Sequence, residues 1–184
     1  MDALEQLLSR KSHNKLVEPA PNKQQLEILF KAALRAPDHA LLKPWRYRVY
    51  QGSALNRLGE MMLKASLNAE PELSEDKQQR ILAKPQRAPM VIVASVGIKE
   101  HPNVPEIEQI LSGGASVQNL LMAAHFQNIG AIWRTGDWTF DPYFAGLLGL
   151  EDNEKIVGFI YLGSEEGTKQ PVQWVEQSNH VTFE

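Results

Sequence analysis

Apolar residues recur along the chain with two periods, one near 3.6 and one near 2, and their alternation lays out the elements. Leu4, Leu7 and Leu8 share one face of a helix over 2–9. Pro21-Asn22 opens a second helix, with Leu26, Leu29, Phe30, Ala33 and Leu34 as its apolar stripe. Pro37 disfavours helical backbone at Ala36, so this helix ends near Arg35. "WRYRVYQG" alternates and stops at a glycine, the pattern of a strand. Ser53 is placed to cap a third helix running to about Ala69, with Leu55, Leu58, Met61, Met62 and Leu67 turned inward. A shorter helix over "SEDKQQRILAK" closes before Pro85.

"APMVIVASVGI" is an almost unbroken β-branched and apolar run, which predicts a strand buried on both faces. The longest helical pattern spans about Pro105 to Gln127. "GAIWRTG" reads as a short strand leaving into a glycine turn. Asp141 caps a short helix whose first residue is Pro142. "KIVGFIYLG" is a last central strand, and the tail after Gly163 has no clear period. Helices alternating with about four strands predict a single α+β or α/β sheet domain over 1–184.

Composition narrows the classes. A chain of 184 residues buries about 70% of its unfolded surface, enough for a proper core. The net charge of −3 argues against a general nucleic-acid binder. With no cysteine, the chain has no disulfide, no cysteine-held metal and no thiol nucleophile. Its five histidines show no metal-ligand spacing, and no metal is expected. "MDALEQLLSRKS" is not a signal peptide, and no apolar run approaches the ~20 residues of a membrane span. The expected compartment is the cytoplasm, with no membrane partner.

Four segments carry chemistry. Arg10, Lys11 and Ser12 offer a guanidinium, an ammonium and a hydroxyl, a set suited to phosphate, although cations at a helix end are also ordinary. "RAPDH" sets Arg35, Asp38 and His39 around a proline turn; Arg35 and Asp38 could equally be a surface ion pair. Gly113-Gly114 inside a helix permits close approach by a flat ligand, or close packing by another element. In "IWRTGDW" the turn after the strand could aim N–H groups and Arg134 at an anion. No P-loop, no nucleophile elbow and no dinucleotide glycine loop is present.

In their order, "MDALEQLLSRKS", "EPAP", "RAPDH", "KPWRYRV", "LSGGASVQNLLMAAHFQNIGAIWRTG" and "KIVGFIYLG" resemble the nitroreductase family of flavin enzymes, in particular its minimal-size bacterial NAD(P)H nitroreductase branch. The resemblance covers essentially the whole chain. It implies an α+β fold with a mainly antiparallel sheet of about 4–5 strands flanked by helices, assembled as a homodimer with FMN at the interface. It further implies that Arg10, Lys11 and Ser12 hold the FMN phosphate and ribityl end, and that Arg35 and His39 contact FMN. Trp133, Arg134 and Thr135 would contact it from the partner subunit. Ala123, Ala124, His125, Phe126, Gln127 and Asn128 fall where this branch places the nicotinamide nucleotide.

Two positions depart from the family pattern. Leu41 and Lys43 stand where larger members carry asparagine and glutamine. A cation there could favour the anionic reduced flavin. The helical excursion that covers the site in larger members is expected to be missing. The resemblance implies hydride transfer from NADH or NADPH and reduction of a nitroaromatic or quinone-type acceptor in ping-pong order, with no catalytic side chain because the flavin carries the chemistry. An FMN-binding protein without useful turnover, or a specialised flavin enzyme on the same fold, are the alternatives.

Overall fold

In the computed structural model, which describes residues 2–167, 172 and 174–184, the predicted elements appear in the predicted order. The first half contains α1 (Ala3–Ser9), β1 (Leu16–Val17), α2 (Lys23–Ala33), β2 (Trp45–Gln51), α3 (Ser53–Ala69) and α4 (Glu75–Leu82). The second half contains β3 (Met90–Gly97), α5 (Glu106–Phe126), β4 (Gly130–Arg134), α6 (Pro142–Leu147) and β5 (Glu154–Glu165). One expected detail changes: Gly52, not Ser53, is the N-cap of α3, and no side chain caps that end. The fifth strand, β1, is two residues long and too short to carry a period.

All eight positions of β3 are buried, because the sheet is covered on both faces. Every strand pairing is antiparallel, and the lateral order β2-β3-β5-β4 puts β2 and β4 at opposite edges. One face packs Val91, Val93, Phe159 and Tyr161 against Leu58 and Met62 of α3, Ile81 of α4 and Phe144 of α6. The other packs Met90, Ile92, Ile160 and Leu162 against Leu29 and Ala33 of α2 and Val117, Leu120 and Ala124 of α5. At about 1.5–3 kcal/mol for each large apolar side chain, these two layers dominate the favourable side of folding.

Gly113 decides how α5 lies on the sheet. A Cβ there would come within 2.5 Å of Val96 Cγ1 and 2.9 Å of Val157 Cγ2, so the glycine serves helix-to-sheet packing. α1 contributes nothing to either core. An Asp2–Glu5 capping box closes its first turn, yet Leu4, Leu7 and Leu8 stay 68%, 50% and 54% exposed. The helix is amphipathic as predicted, and its apolar face stays exposed among the described residues. Trp174 and Phe183 in the tail are likewise exposed; of that tail, residues 168–171 and 173 lie outside the described residues.

Candidate functional site

The extended segment that leaves α1 runs beside β4. The His13 N–H donates to the Ala131 carbonyl at 3.0 Å, and the Ala131 N–H donates to His13 Nδ1 at 3.3 Å. An acceptor role at Nδ1 fixes the proton of a neutral ring on Nε2, which faces Glu165 Oε1 at 3.0 Å. Arg134 Nη2 donates to Asn14 Oδ1 at 3.2 Å. These bonds fix His13 and Asn14, which directly follow Arg10, Lys11 and Ser12, against β4. Within one chain, the 13–14 segment and β4 are thus direct neighbours. Trp133 spends its indole N–H on the Val157 carbonyl at 3.2 Å.

Beside β4 lies a cavity of about 320 Å³, lined by Lys84, Arg87, Arg134, Thr135, Trp138 and Tyr161 among others. Its cations repel one another. Burial and the Arg87 charge push the Lys84 ammonium below its ordinary range, Arg134 adds to that, and Asp137 opposes it. Lys84 Nζ sits 4.3 Å over the Trp138 ring, whose N–H is held by the Met62 carbonyl at 3.0 Å. Tyr161 is 4% exposed, and its hydroxyl makes no hydrogen bond among the described residues. Burial raises its phenol pKa, while Arg134 and Arg87 act in the opposite direction. The sequence reading missed Lys84, Arg87 and Tyr161. The i, i+3 spacing of Lys84 and Arg87 across the Pro85 turn was the available signal, since it sets both cations on one side.

Arg35 and His39 lie at the other edge of the sheet. β2 and β4 are three strand spacings apart, roughly 14 Å at about 4.8 Å each. Asp38 does not pair with Arg35; its carboxylate accepts from the Lys43 N–H at 2.7 Å. His39 Nδ1 meets Glu108 Oε2 on α5 at 2.6 Å. Between them the backbone is strained, with Ala40, Leu41 and Lys43 at φ of 58°, 57° and 50°. Each such residue costs about 1 kcal/mol or more, and the conformation persists because neighbours hold it. Lys99 Nζ donates to the Leu42 carbonyl at 2.7 Å, Ser112 Oγ to the Pro37 carbonyl at 2.6 Å, and Trp45 Nε1 to Ser112 Oγ at 3.0 Å. Trp45 is mostly a core residue at 8% exposure.

The 123–128 segment is the end of α5. Ala123 and Ala124 are packed in the core at 7% and 0% exposure. The helix is buried there between α2 and the sheet. His125 Nε2 meets Ser9 Oγ at 3.0 Å, and Gln127 Nε2 donates to the Ala123 carbonyl at 3.1 Å. Phe126 and Asn128 are exposed. No group of acidic or histidine side chains among the described residues could hold a metal ion, and no helix is long and apolar enough to cross a membrane.

The sequence model of the family described as "Nitroreductase family" matches residues 7–164. A protein of Escherichia coli (strain K12) named "Putative NAD(P)H nitroreductase YdjA" is 38% identical over 167 residues, 90% of each chain. The crystal structure of a nitroreductase-like family protein from Bacillus cereus superposes with a TM-score of 0.83 at 21% identity, covering 100% of this chain and 96% of that one. A nitroreductase from Bacteroides fragilis, solved with bound FMN, superposes with a TM-score of 0.76 at 17% identity, covering both chains in full.

Proposed function

The chain belongs to the nitroreductase family, and on that premise we propose that it binds FMN at a two-subunit site and carries electrons from NAD(P)H to nitroaromatic or quinone-type acceptors. The observation that carries this reading is the pairing of the 10–14 segment with β4, through His13–Ala131 and Asn14–Arg134. It joins a phosphate-type donor set to a cationic cleft in one continuous surface. The residues fit the cofactor chemically. Arg10, Lys11 and Ser12 suit a phosphate and polyol. Lys84, Arg87, Arg134 and the unpaired Tyr161 hydroxyl suit an electron-rich polar ring. Bound FMN would supply a two-electron relay between hydride donor and acceptor.

The chain's own residues then have positional and electrostatic work. His13 holds the phosphate-binding segment in register with β4. Lys84 and Arg134 offer positive charge where a reduced ring becomes electron-rich. The overall reaction balances as NAD(P)H, a proton and a nitroarene giving NAD(P)⁺, a nitrosoarene and water. Nucleotide and acceptor use one open place in turn, which gives ping-pong order.

Purified protein should be yellow and release FMN, not FAD, on denaturation. Anaerobic stopped-flow mixing with NADH and with NADPH should bleach the flavin, and a nitroarene or quinone should restore its colour. Colourless protein that cannot be reconstituted with FMN overturns the reading. A flavin that stays oxidised for minutes would leave a binding protein, the reading suggested by the loss of amides at Leu41 and Lys43.

The functional unit in this proposal is a homodimer. Arg35 and His39 lie across the sheet from Arg134, so one chain cannot close them on a single ring. Leu4, Leu7, Leu8, Ile107 and Leu111 are exposed at 50% or more, as are Trp174 and Phe183 in the tail. Sets of this kind mark an interaction surface. Sedimentation should give a dimer at micromolar concentration, and an FMN-loaded monomer there would count against this arrangement.

A further inference from the structure

We propose that the cavity beside the 38–43 loop selects electron acceptors that join an aromatic ring to an anionic group, with Lys43 as the selecting residue. The inference rests on the proposed flavin site and narrows its acceptor class. Arg35, Lys43 and Arg46 all line this cavity of about 610 Å³, and Asp38 is the one acidic residue among the described lining. The Asp38 carboxylate is already engaged by the Lys43 N–H at 2.7 Å. Arg46 is also committed, donating to the Lys43 and Trp45 carbonyls at 3.2 and 2.8 Å. Arg35 and Lys43 enter no ion pair among the described residues.

A chain of net charge −3 therefore gathers unneutralised positive charge at this cavity. The apolar part of the lining includes Leu41 and the edge of Trp45. An apolar floor with a few convergent cations suits a ring that carries a carboxylate or phosphate better than a neutral ring. The loop is also preorganised. Lys43 is held at positive φ, between the Asp38 carboxylate and the Leu42 carbonyl that Lys99 grips, so little order must be imposed when an anion arrives.

The ring-bearing anion could be an acceptor's carboxylate or the 2′-phosphate of the donor nucleotide, and the experiment separates them. Using FMN-loaded protein at low ionic strength, kcat/KM is measured for 4-nitrobenzoate and for neutral 4-nitrobenzyl alcohol. The acid-to-neutral ratio should be about ten or more in the parent, should collapse toward one in Lys43→Gln, and should survive in Lys43→Arg. Added salt should lower it in the parent. A parent ratio near one, or a ratio unchanged in Lys43→Gln, overturns the proposal. So does a variant that alters only the NADPH-to-NADH ratio of flavin reduction, because the anion is then the nucleotide's. A fall in both acceptors that tracks a changed flavin potential overturns it as well. Dithionite-reduced enzyme, or equilibrium binding of the two nitroarenes to protein with or without FMN, reads the same preference when nucleotide reduction fails, so the two readings fail separately.

Discussion

Arg10→Ala is expected to weaken FMN binding by about 30- to 1000-fold, or roughly 2–4 kcal/mol. A guanidinium on a phosphate makes a charge-assisted, often paired contact that no neighbouring lysine reproduces geometrically. The fold should be untouched. Arg10 follows a helix with no buried residue, and the segment beyond it is held by His13 and Asn14 rather than by Arg10. The variant should emerge from gel filtration pale, with an unchanged melting temperature. Turnover per bound flavin should recover when FMN is saturating, because the phosphate end is remote from the reacting ring. A variant that keeps its flavin through the column, or stays inactive with excess FMN, would give Arg10 a different role.

Gly158→Ala should be the most damaging single methyl in the chain. Gly158 lies opposite Ala94, at the irregularity where β3 and β5 shift register. Its φ is +154°, and an added Cβ would fall 2.2 Å from Trp133 Nε1 and 2.9 Å from the Arg134 carbonyl. The indole cannot retreat cheaply, because its N–H is bonded to the Val157 carbonyl. Overpacking, the lost hydrogen bond and the backbone conformation together make a destabilisation of about 3–5 kcal/mol. For a chain of this size that corresponds to a fall in Tm of roughly 6–15 °C. Flavin retention should fall too, since Trp133 and Arg134 would move together. Gly146→Ala is the control: nothing lies within 4 Å of its Cβ position in α6, so it should melt at or slightly above the parent. A Gly158→Ala protein melting within a degree or two of the parent refutes this account of the Trp133 wall.

The two variants differ in how much of their role the sequence displayed. Arg10 was legible, because three adjacent side chains of phosphate-binding type need no tertiary knowledge to be noticed. Gly158 was not. It sits in "KIVGFIYLG" as one small residue in a strand, and its need appears only once Trp133, 25 positions earlier, is laid across it. Lys84 and Arg87 were passed over for a related reason. A cation beside a proline turn is commonplace until β4 brings Arg134 to the same cleft.

The sequence by itself determined the elements: among the described residues, six helices and four of the five strands follow from periods of 3.6 and 2, from helix starts such as Asn22 and Asp141, and from proline stops. It also determined the double-sided burial of β3, through an unbroken apolar run. These are local properties, set within a few residues by backbone geometry and side-chain alternation. The tertiary structure alone decided the lateral order of the strands, and with it which candidate residues share a wall. It joined His13 to Ala131 across 118 positions, separated Arg35 from Arg134 by the width of the sheet, and withdrew Ala123 and Ala124 into the core. It also left the leucines of α1 exposed among the described residues. An amphipathic stripe specifies that a face must be buried, but what buries it depends on chain closure, which local propensity does not encode.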